Sequence, residues 1–268
     1  SCKNCFGRNF KTIECEKLCV KMARQNKIKT LKLNKYIAQC GVCSRRKADE
    51  LILSGVVFVN GKKVENLGEI VTSKDKVVVD GNLIKPDNFV YIRFYKPAGY
   101  ITSLNDEKGR KTIYDILPEE VKKLKPVGRL DKDTSGLLIM TNDGDFINSL
   151  THPKIKIPKV YKVVVEGKMT RQKVLELEKG IEIEKGKIAY AQVDCVDVLS
   201  DTTVLQITLY QGLNRQIRKM CQKVGHEVVS LKRIKHANVV LDGLKRGAFK
   251  YINQKQIKEI ENYIKKIL

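Results

Sequence analysis

Apolar residues between 31 and 80 first recur at helical spacing and then alternate. Leu33 and Ile37 lie one helical turn apart, and Gly41 ends that pattern. Ser44 has the chemistry of an N-cap for a second helix, whose Ala48, Leu51 and Ile52 share one face before Gly55 stops it. Val56–Val59 then reads as a strand, Asn60-Gly61 as a two-residue hairpin turn and Lys62–Val64 as the return strand. Lys76–Val79 is a further strand, halted by Asp80-Gly81. Two short helices and a small sheet therefore make one compact unit over residues 31–80. Residues 81–90, with Pro86 and mixed polarity, read as a linker.

Beyond the linker, residues 91–268 pattern as one larger unit. Alternating or apolar runs predict strands at Val90–Phe94, Gly136–Met140, Tyr161–Glu166, Ala191–Val196 and Thr203–Tyr210. Helical spacing covers Asp143–Leu150, Thr170–Lys179, Arg215–Val224 and Gln254–Leu268. Strands and helices do not alternate strictly. The expected class is α+β with a mixed, largely antiparallel sheet, rather than a doubly wound parallel one. Glycine-rich nucleotide-binding loops of the G-x-G-x-x-G or P-loop kind do not occur, so dinucleotide and ATP chemistry have no foothold.

Charge narrows the partners. Lys and Arg number 52 against 30 Asp and Glu in 268 residues, a formal net charge of +22. On a chain that is 42% hydrophobic, and so able to bury a core, this surplus points to a polyanionic partner. No apolar run reaches the ~18 residues that a membrane span needs. Residues 1–30 lack the apolar centre of a signal peptide, which predicts a cytoplasmic protein without a membrane partner.

Four of the eight cysteines (Cys2, Cys5, Cys15, Cys19) crowd the start of the chain. Without a secretory signal, reduced thiols are expected rather than a disulfide framework. A small zinc knot is one reading of this cluster, although its spacing is irregular. Cys40-Gly-Val-Cys43 fits a helix-to-helix turn, and His152, His226 and His236 lack metal-ligand spacing, so no metal is expected in the folded units. Met22-Ala-Arg-Gln resembles an ordinary bacterial protein start. Residues 1–21 are accordingly read as an upstream extension, with a disordered basic tail and the zinc knot as competitors.

Three stretches carry candidate chemistry. Arg45 and Arg46 occupy the first turn of the second helix, where cations are electrostatically misplaced unless an anion binds beside them. The helix–turn–helix–strand order with Ser44-Arg45-Arg46 resembles the S-four RNA-binding domain, found in a small-subunit ribosomal protein and in bacterial tyrosyl-tRNA synthetases. The second stretch is Gly128-Arg129-Leu130-Asp131-Lys132-Asp133-Thr134-Ser135-Gly136, an acidic loop feeding the apolar run Leu137–Met140. It fails as a calcium loop because Asn142 stands where the closing glutamate is needed. As a glycosidase carboxylate pair, Asp131 and Asp133 sit too near one another to flank a substrate. A plain turn remains open for it. The third is Gln211–Met220, where Arg215 and Arg218 fall one turn apart on the expected helix, one for a buried carboxylate and one for phosphate. A surface basic helix remains the alternative.

Taken together, Lys96-Pro97-Ala98-Gly99, Gly128–Gly136, Lys159-Val160-Tyr161-Lys162-Val163 and Asn214–Met220 resemble the motifs of the bacterial rRNA pseudouridine synthases. Gly128 before Arg129-Leu130-Asp131, and Arg215 before Gln216-Ile217-Arg218, place the resemblance in the RsuA branch. The run Gln211–Cys221 is most similar to the large-subunit RluF subgroup. Lys219 stands where that family commonly has arginine, and residues 1–30 match nothing in it.

The resemblance implies an S-four domain followed by a catalytic domain that converts uridine in rRNA to pseudouridine without cofactor or metal. Asp131 matches the catalytic nucleophile, Arg218 the arginine that pairs with it, and Tyr161 the tyrosine beside the flipped base. RNA contacts are expected from Lys35, Arg45, Arg46, Lys62, Arg129, Lys132, Asn214, Arg215 and Gln216. The expected partner is 23S rRNA, with 16S rRNA or tRNA as alternatives, and the expected state is a monomer. A non-catalytic ribosome-assembly protein would share the charge and the small domain, but it would not require Asp131, Tyr161 and Arg218. A uracil-releasing hydrolase would use Asp131 yet leave free base.

Overall fold

The computed structural model describes residues 30–104 and 106–268, with Cys195 as backbone only. The readings of residues 1–21 and of their cysteines lie outside the described residues. The chain divides into two compact units, with the boundary between Asp87 and Asn88.

In the first unit, strand β1 (Leu31–Lys32) leads into helix α1 (Leu33–Gln39), and helix α2 (Arg45–Leu53) follows. Ser44 caps α2 as expected, its hydroxyl accepting from the Lys47 amide at 3.2 Å. Strands β2 (Val57–Val59), β3 (Lys62–Lys63), β4 (Ile70–Val71), β5 (Val77–Val79) and β6 (Asn82–Ile84) complete the unit. Asn60 and Gly61 both take positive φ (50° and 81°), the geometry a two-residue hairpin demands. The main sheet runs β3-β2-β5-β6, while β1 pairs with β4. Asn82–Ile84, expected to begin the linker, is instead an edge strand on β5, because Asp80-Gly81 turns the chain back rather than releasing it. Leu33, Ile37, Ala48, Ile52, Val57, Val71 and Val77 form a fully buried core. Asn34 donates to Asp49 at 2.8 Å, joining the two helices.

The second unit continues with β7 (Tyr91–Lys96), a single turn of 3-10 helix at Ile113–Asp115, α3 (Glu119–Lys122), β8 (Lys125–Pro126) and β9 (Ser135–Thr141). Next come α4 (Gly144–Thr151), β10 (Lys159–Glu166), α5 (Arg171–Lys179), β11 (Ile181–Glu184), β12 (Lys187–Ala189), β13 (Gln192–Val198) and β14 (Thr202–Leu209). The chain closes with α6 (Gln216–Lys223), β15 (Val228–His236), β16 (Val239–Val240), β17 (Phe249–Tyr251) and α7 (Gln254–Ile267). The large sheet has the order β13-β14-β10-β15-β9-β7-β17. Its pairings are antiparallel except β15 against β9, so the sheet is mixed and mostly antiparallel, as expected.

One face of this sheet packs Phe94, Leu138, Val163 and Leu205 against Ile217 and Met220 of α6 and Leu177 of α5. The other packs Leu137 and Ile139 against Phe146 and Leu150 of α4 and Ile257, Ile260 and Ile264 of α7. Capping chemistry sets the helix starts: Asp143, Thr170 and Asn253 each accept first-turn amides. Helix α6 begins at Gln216, not at Arg215 as the spacing suggested. Arg215 is its N-cap in the left-handed region (φ 49°), so Arg215 and Arg218 do not share a helical face. No helix among the described residues is long and apolar enough to cross a membrane.

Candidate active site

The loop between β8 and β9 carries Asp131, and buried groups hold its backbone from beneath. Lys96, at the end of β7, is fully buried. Its ammonium donates to the carbonyls of Thr134 (2.8 Å), Asp131 and Pro97 (both 3.1 Å) and, more distantly, Lys132 (3.4 Å). Thr102 Oγ1 donates to the Leu130 carbonyl at 2.9 Å and accepts from the Leu130 amide at 3.2 Å. The Gly99 amide donates to the Lys132 carbonyl at 2.8 Å, and Thr134 N closes the turn on Asp131 O at 3.1 Å. The Lys-Pro-Ala-Gly turn thus serves as the platform of the Asp131 loop. Burial pushes the Lys96 pKa down to about 8, against the pull of the Asp131 and Asp133 carboxylates and with help from Arg233.

Asp131 is half-buried, and it lines a cleft of about 690 Å³ together with Tyr161, Arg129 and the Gln211–Ile217 turn. This is the size of an ordinary small-ligand site, roughly 300–1,000 Å³. A transverse row of register partners crosses the sheet here: Lys96, Gly136, Arg233, Tyr161 and Ile207. Gly136 (φ +109°) is what allows β9 and β15 to pair this closely. A Cβ on it would stand 2.2 Å from the Arg233 carbonyl oxygen and 2.6 Å from its nitrogen.

Arg218 differs from expectation. Its guanidinium donates to the Val228 and Asp133 carbonyls, both at 3.1 Å, and its Nε is buried without a partner among the described residues. No ion pair joins Arg218 to Asp131 among the described residues. From the first turn of α6, the fork meets the main chain two residues beyond Asp131, so Arg218 braces the loop. The charged neighbour of Asp133 is Arg215, 3.6 Å away with both side chains substantially exposed.

Gln216 also departs from its expected contact with RNA. It is 3% exposed, and its amide joins Leu213 N, the Tyr190 carbonyl and Gln211 Oε1. It shapes the turn ahead of α6. Arg129, Lys132, Asn214 and Arg215 are exposed around the loop. Lys219 ties α6 to β11 through Glu184 at 2.5 Å. In the first unit Arg45, Arg46 and Lys62 are exposed and Lys35 is half-buried. Among the described residues no group of three metal-ligating side chains gathers.

Sequence reasoning missed Lys96 as a functional residue, although it stood in a recognised motif. It also missed Lys159, Arg233 and His236, which line the same cleft. The available signal was the basic spacing of Leu231-Lys-Arg-Ile-Lys-His236, which breaks the apolar alternation of a central strand.

Residues 90–223 match the RNA pseudouridylate synthase family, and residues 31–77 match the S4 domain. The ribosomal large subunit pseudouridine synthase B of Bacillus subtilis is 43% identical over 231 residues, spanning 85% of this chain and 95% of that protein. The dual-specificity RNA pseudouridine synthase RluF of Escherichia coli K12 is 37% identical over 240 residues, spanning 87% of this chain and 80% of that protein. A crystal structure of a pseudouridylate synthase superposes with a TM-score of 0.61 at 28% identity, covering 86% of this chain and 99% of that one. With that agreement in sequence and fold, and an aspartate loop anchored over a cleft at the matching motif, the chain belongs to the RNA pseudouridine synthase family, an S4 domain preceding its catalytic domain.

Proposed function

We propose that this enzyme converts a uridine of 23S rRNA to pseudouridine, working as a monomer in the cytoplasm with Asp131 as nucleophile. The observation that carries the reading is the Asp131 loop. Its backbone is committed to Lys96, Thr102 and Arg218, while the carboxylate lines the same cleft as Tyr161. A nucleophile held this way keeps one position as the substrate arrives.

The target uridine must leave its stack to reach the cleft. Asp131 attacks C1′, and the N1–C1′ bond breaks. The uracil then turns, C5 bonds to C1′ as the Asp131 carboxylate leaves it, the C5 proton departs and N1 gains one. Tyr161 stacks on the turning base and handles a proton through its hydroxyl. Arg218 acts as a positioning residue through the Asp133 carbonyl. Arg129, Lys132, Asn214 and Arg215 meet the RNA at the rim, and Lys35, Arg45, Arg46 and Lys62 meet it through the S4 domain.

The choice of 23S rRNA is supported by the large-subunit name of the Bacillus relative and by the Gln211–Cys221 run. The dual-specificity name of the RluF relatives keeps tRNA as a second candidate target. Pseudouridine mapping by carbodiimide primer extension over 23S rRNA, 16S rRNA and tRNA from a deletion strain tests the target. One lost 23S position, restored by the wild-type chain and not by Asp131→Asn, is the expected result. Restoration by Asp131→Asn would overturn the nucleophile assignment.

A further inference from the structure

The cleft contains a basic group that the isomerisation does not use. Arg233, on β15, is 1% exposed; its Nε donates to the Leu137 carbonyl at 2.7 Å, and its Nη2 is buried with no partner among the described residues. Lys159 and His236 are register partners on β10 and β15, beside the Tyr161–Arg233 pair, with a bulge between the two pairs. Lys159 donates only to the Ile157 carbonyl, at 3.2 Å, among the described residues. His236 is fully buried, and its ring nitrogens lack a well-formed hydrogen bond.

The charges that act on Lys159 and His236 come from within the group. Burial, then Arg233, lowers the Lys159 pKa to about 8. Burial, then Arg233 and Lys159, drives that of His236 well below its ordinary value, with a weaker opposing pull from the Leu150 backbone. The Asp131 and Asp133 carboxylates act on Lys96 but on neither of these two. Basic groups gathered in one wall, with no carboxylate hydrogen-bonded or ion-paired to them among the described residues, are matched to an anion that arrives with the ligand. Uracil is neutral and does not offset them, whereas a phosphodiester does, and an arginine fork fits its oxygens.

We propose that Arg233, with Lys159 and His236 beside it, seats the backbone phosphate next to the uridine held at Tyr161. The register places the seat beside the tyrosine, so base and phosphate of one nucleotide are held by neighbouring strands. Gly136, the other register partner of Arg233, keeps the arginine backbone in place. The assignment rests on the reading that a uridine enters this cleft.

The test has two arms on the full chain. In the first, phosphorus NMR follows uridine 5′-monophosphate, uridine 3′-monophosphate and inorganic phosphate with the wild type, Arg233→Gln and Lys159→Gln. A nucleotide signal perturbed by the wild type and released by at least one variant that keeps its circular-dichroism melt supports the seat. Equal perturbation by wild type and both variants overturns it, as does inorganic phosphate bound as well as the nucleotides. In the second arm, RNA with a single neutral methylphosphonate on either side of the target uridine is assayed for turnover. KM is expected to rise roughly tenfold for one position with the wild type, and not further with Arg233→Gln. Normal turnover of both modified RNAs removes the seat and leaves the synthase assignment standing. Nucleotide binding that depends on Arg233, in a chain that forms no pseudouridine, removes the assigned reaction and leaves the seat.

Discussion

Replacing Lys96 by Met isolates the support beneath Asp131, the proposed nucleophile. Methionine keeps the length and apolar stem of the side chain but removes the ammonium that holds the Pro97, Asp131 and Thr134 carbonyls. Hydrogen bonds from a charged donor are worth about 1.5–3 kcal/mol each. Removing the ion also relieves the burial penalty recorded in its pKa, and lowering from 10.5 to about 8 corresponds to about 3 kcal/mol. The balance is a net loss of about 1.5–6 kcal/mol, or roughly 3–24 °C in Tm for a unit of this size. Activity should fall further than stability, because a nucleophile displaced by about 1 Å costs on the order of 100-fold.

The pH dependence gives a separate reading. The folded pKa of Lys96 lies below its unfolded value, so between about pH 8 and 10.5 the unfolded chain holds the extra proton. This group therefore adds stability as pH rises through that interval, and Lys96→Met lacks the gain. Activity moves the opposite way, since a neutral amine turns a lone pair toward carbonyl oxygens. The wild-type rate should decline above about pH 8. Because Lys159 titrates near the same value, Lys159→Gln serves as the control and should retain the Lys96 limb. Denaturant unfolding and pseudouridine formation from pH 6 to about 10 measure both. A Lys96→Met enzyme with unchanged Tm and near-wild-type turnover would refute this account of the loop.

Three further outcomes follow from the geometry. Arg218→Ala removes charged-donor hydrogen bonds to the half-buried Val228 carbonyl and the exposed Asp133 carbonyl and should cost about 1–3 kcal/mol, with turnover falling more than substrate affinity; an unchanged melt together with unchanged kcat contradicts the brace. Gly136→Ala places a Cβ against Arg233 at a φ of +109° and should destabilise by more than about 3 kcal/mol; an enzyme that melts like the wild type would show that β9 and β15 need no such close approach. A chain beginning at Asn88 keeps every catalytic motif but loses Arg45, Arg46 and Lys62. Its RNA affinity should fall, and its salt slope should flatten by about 0.7 per lost phosphate contact; a slope equal to that of the full chain denies the first unit a grip on RNA.

Much of the structure is written in neighbouring residues. Ser44, Asp143, Thr170 and Asn253 mark helix starts because each cap needs only amides two or three residues ahead. Asn60-Gly61 sets a hairpin through its own φ preferences. The Asp131 and Tyr161 motifs are contiguous, so both residues were legible as a loop and a strand before any contact was known. Contacts between distant segments were not legible in this way. Strand β15 escaped notice because Lys232, Arg233 and Lys235 interrupt its apolar alternation, yet it lies near the middle of the large sheet. Lys96, Gly136, Arg233 and Tyr161 come from four separate strands and form one row only through pairing register. The same holds for Arg218, whose destination depends on how α6 lies against the loop. Local backbone preference decides caps and turns, so sequence alone determined them; burial and cross-strand register decide which charges lose water and which carbonyls they meet, and only the tertiary structure supplies those.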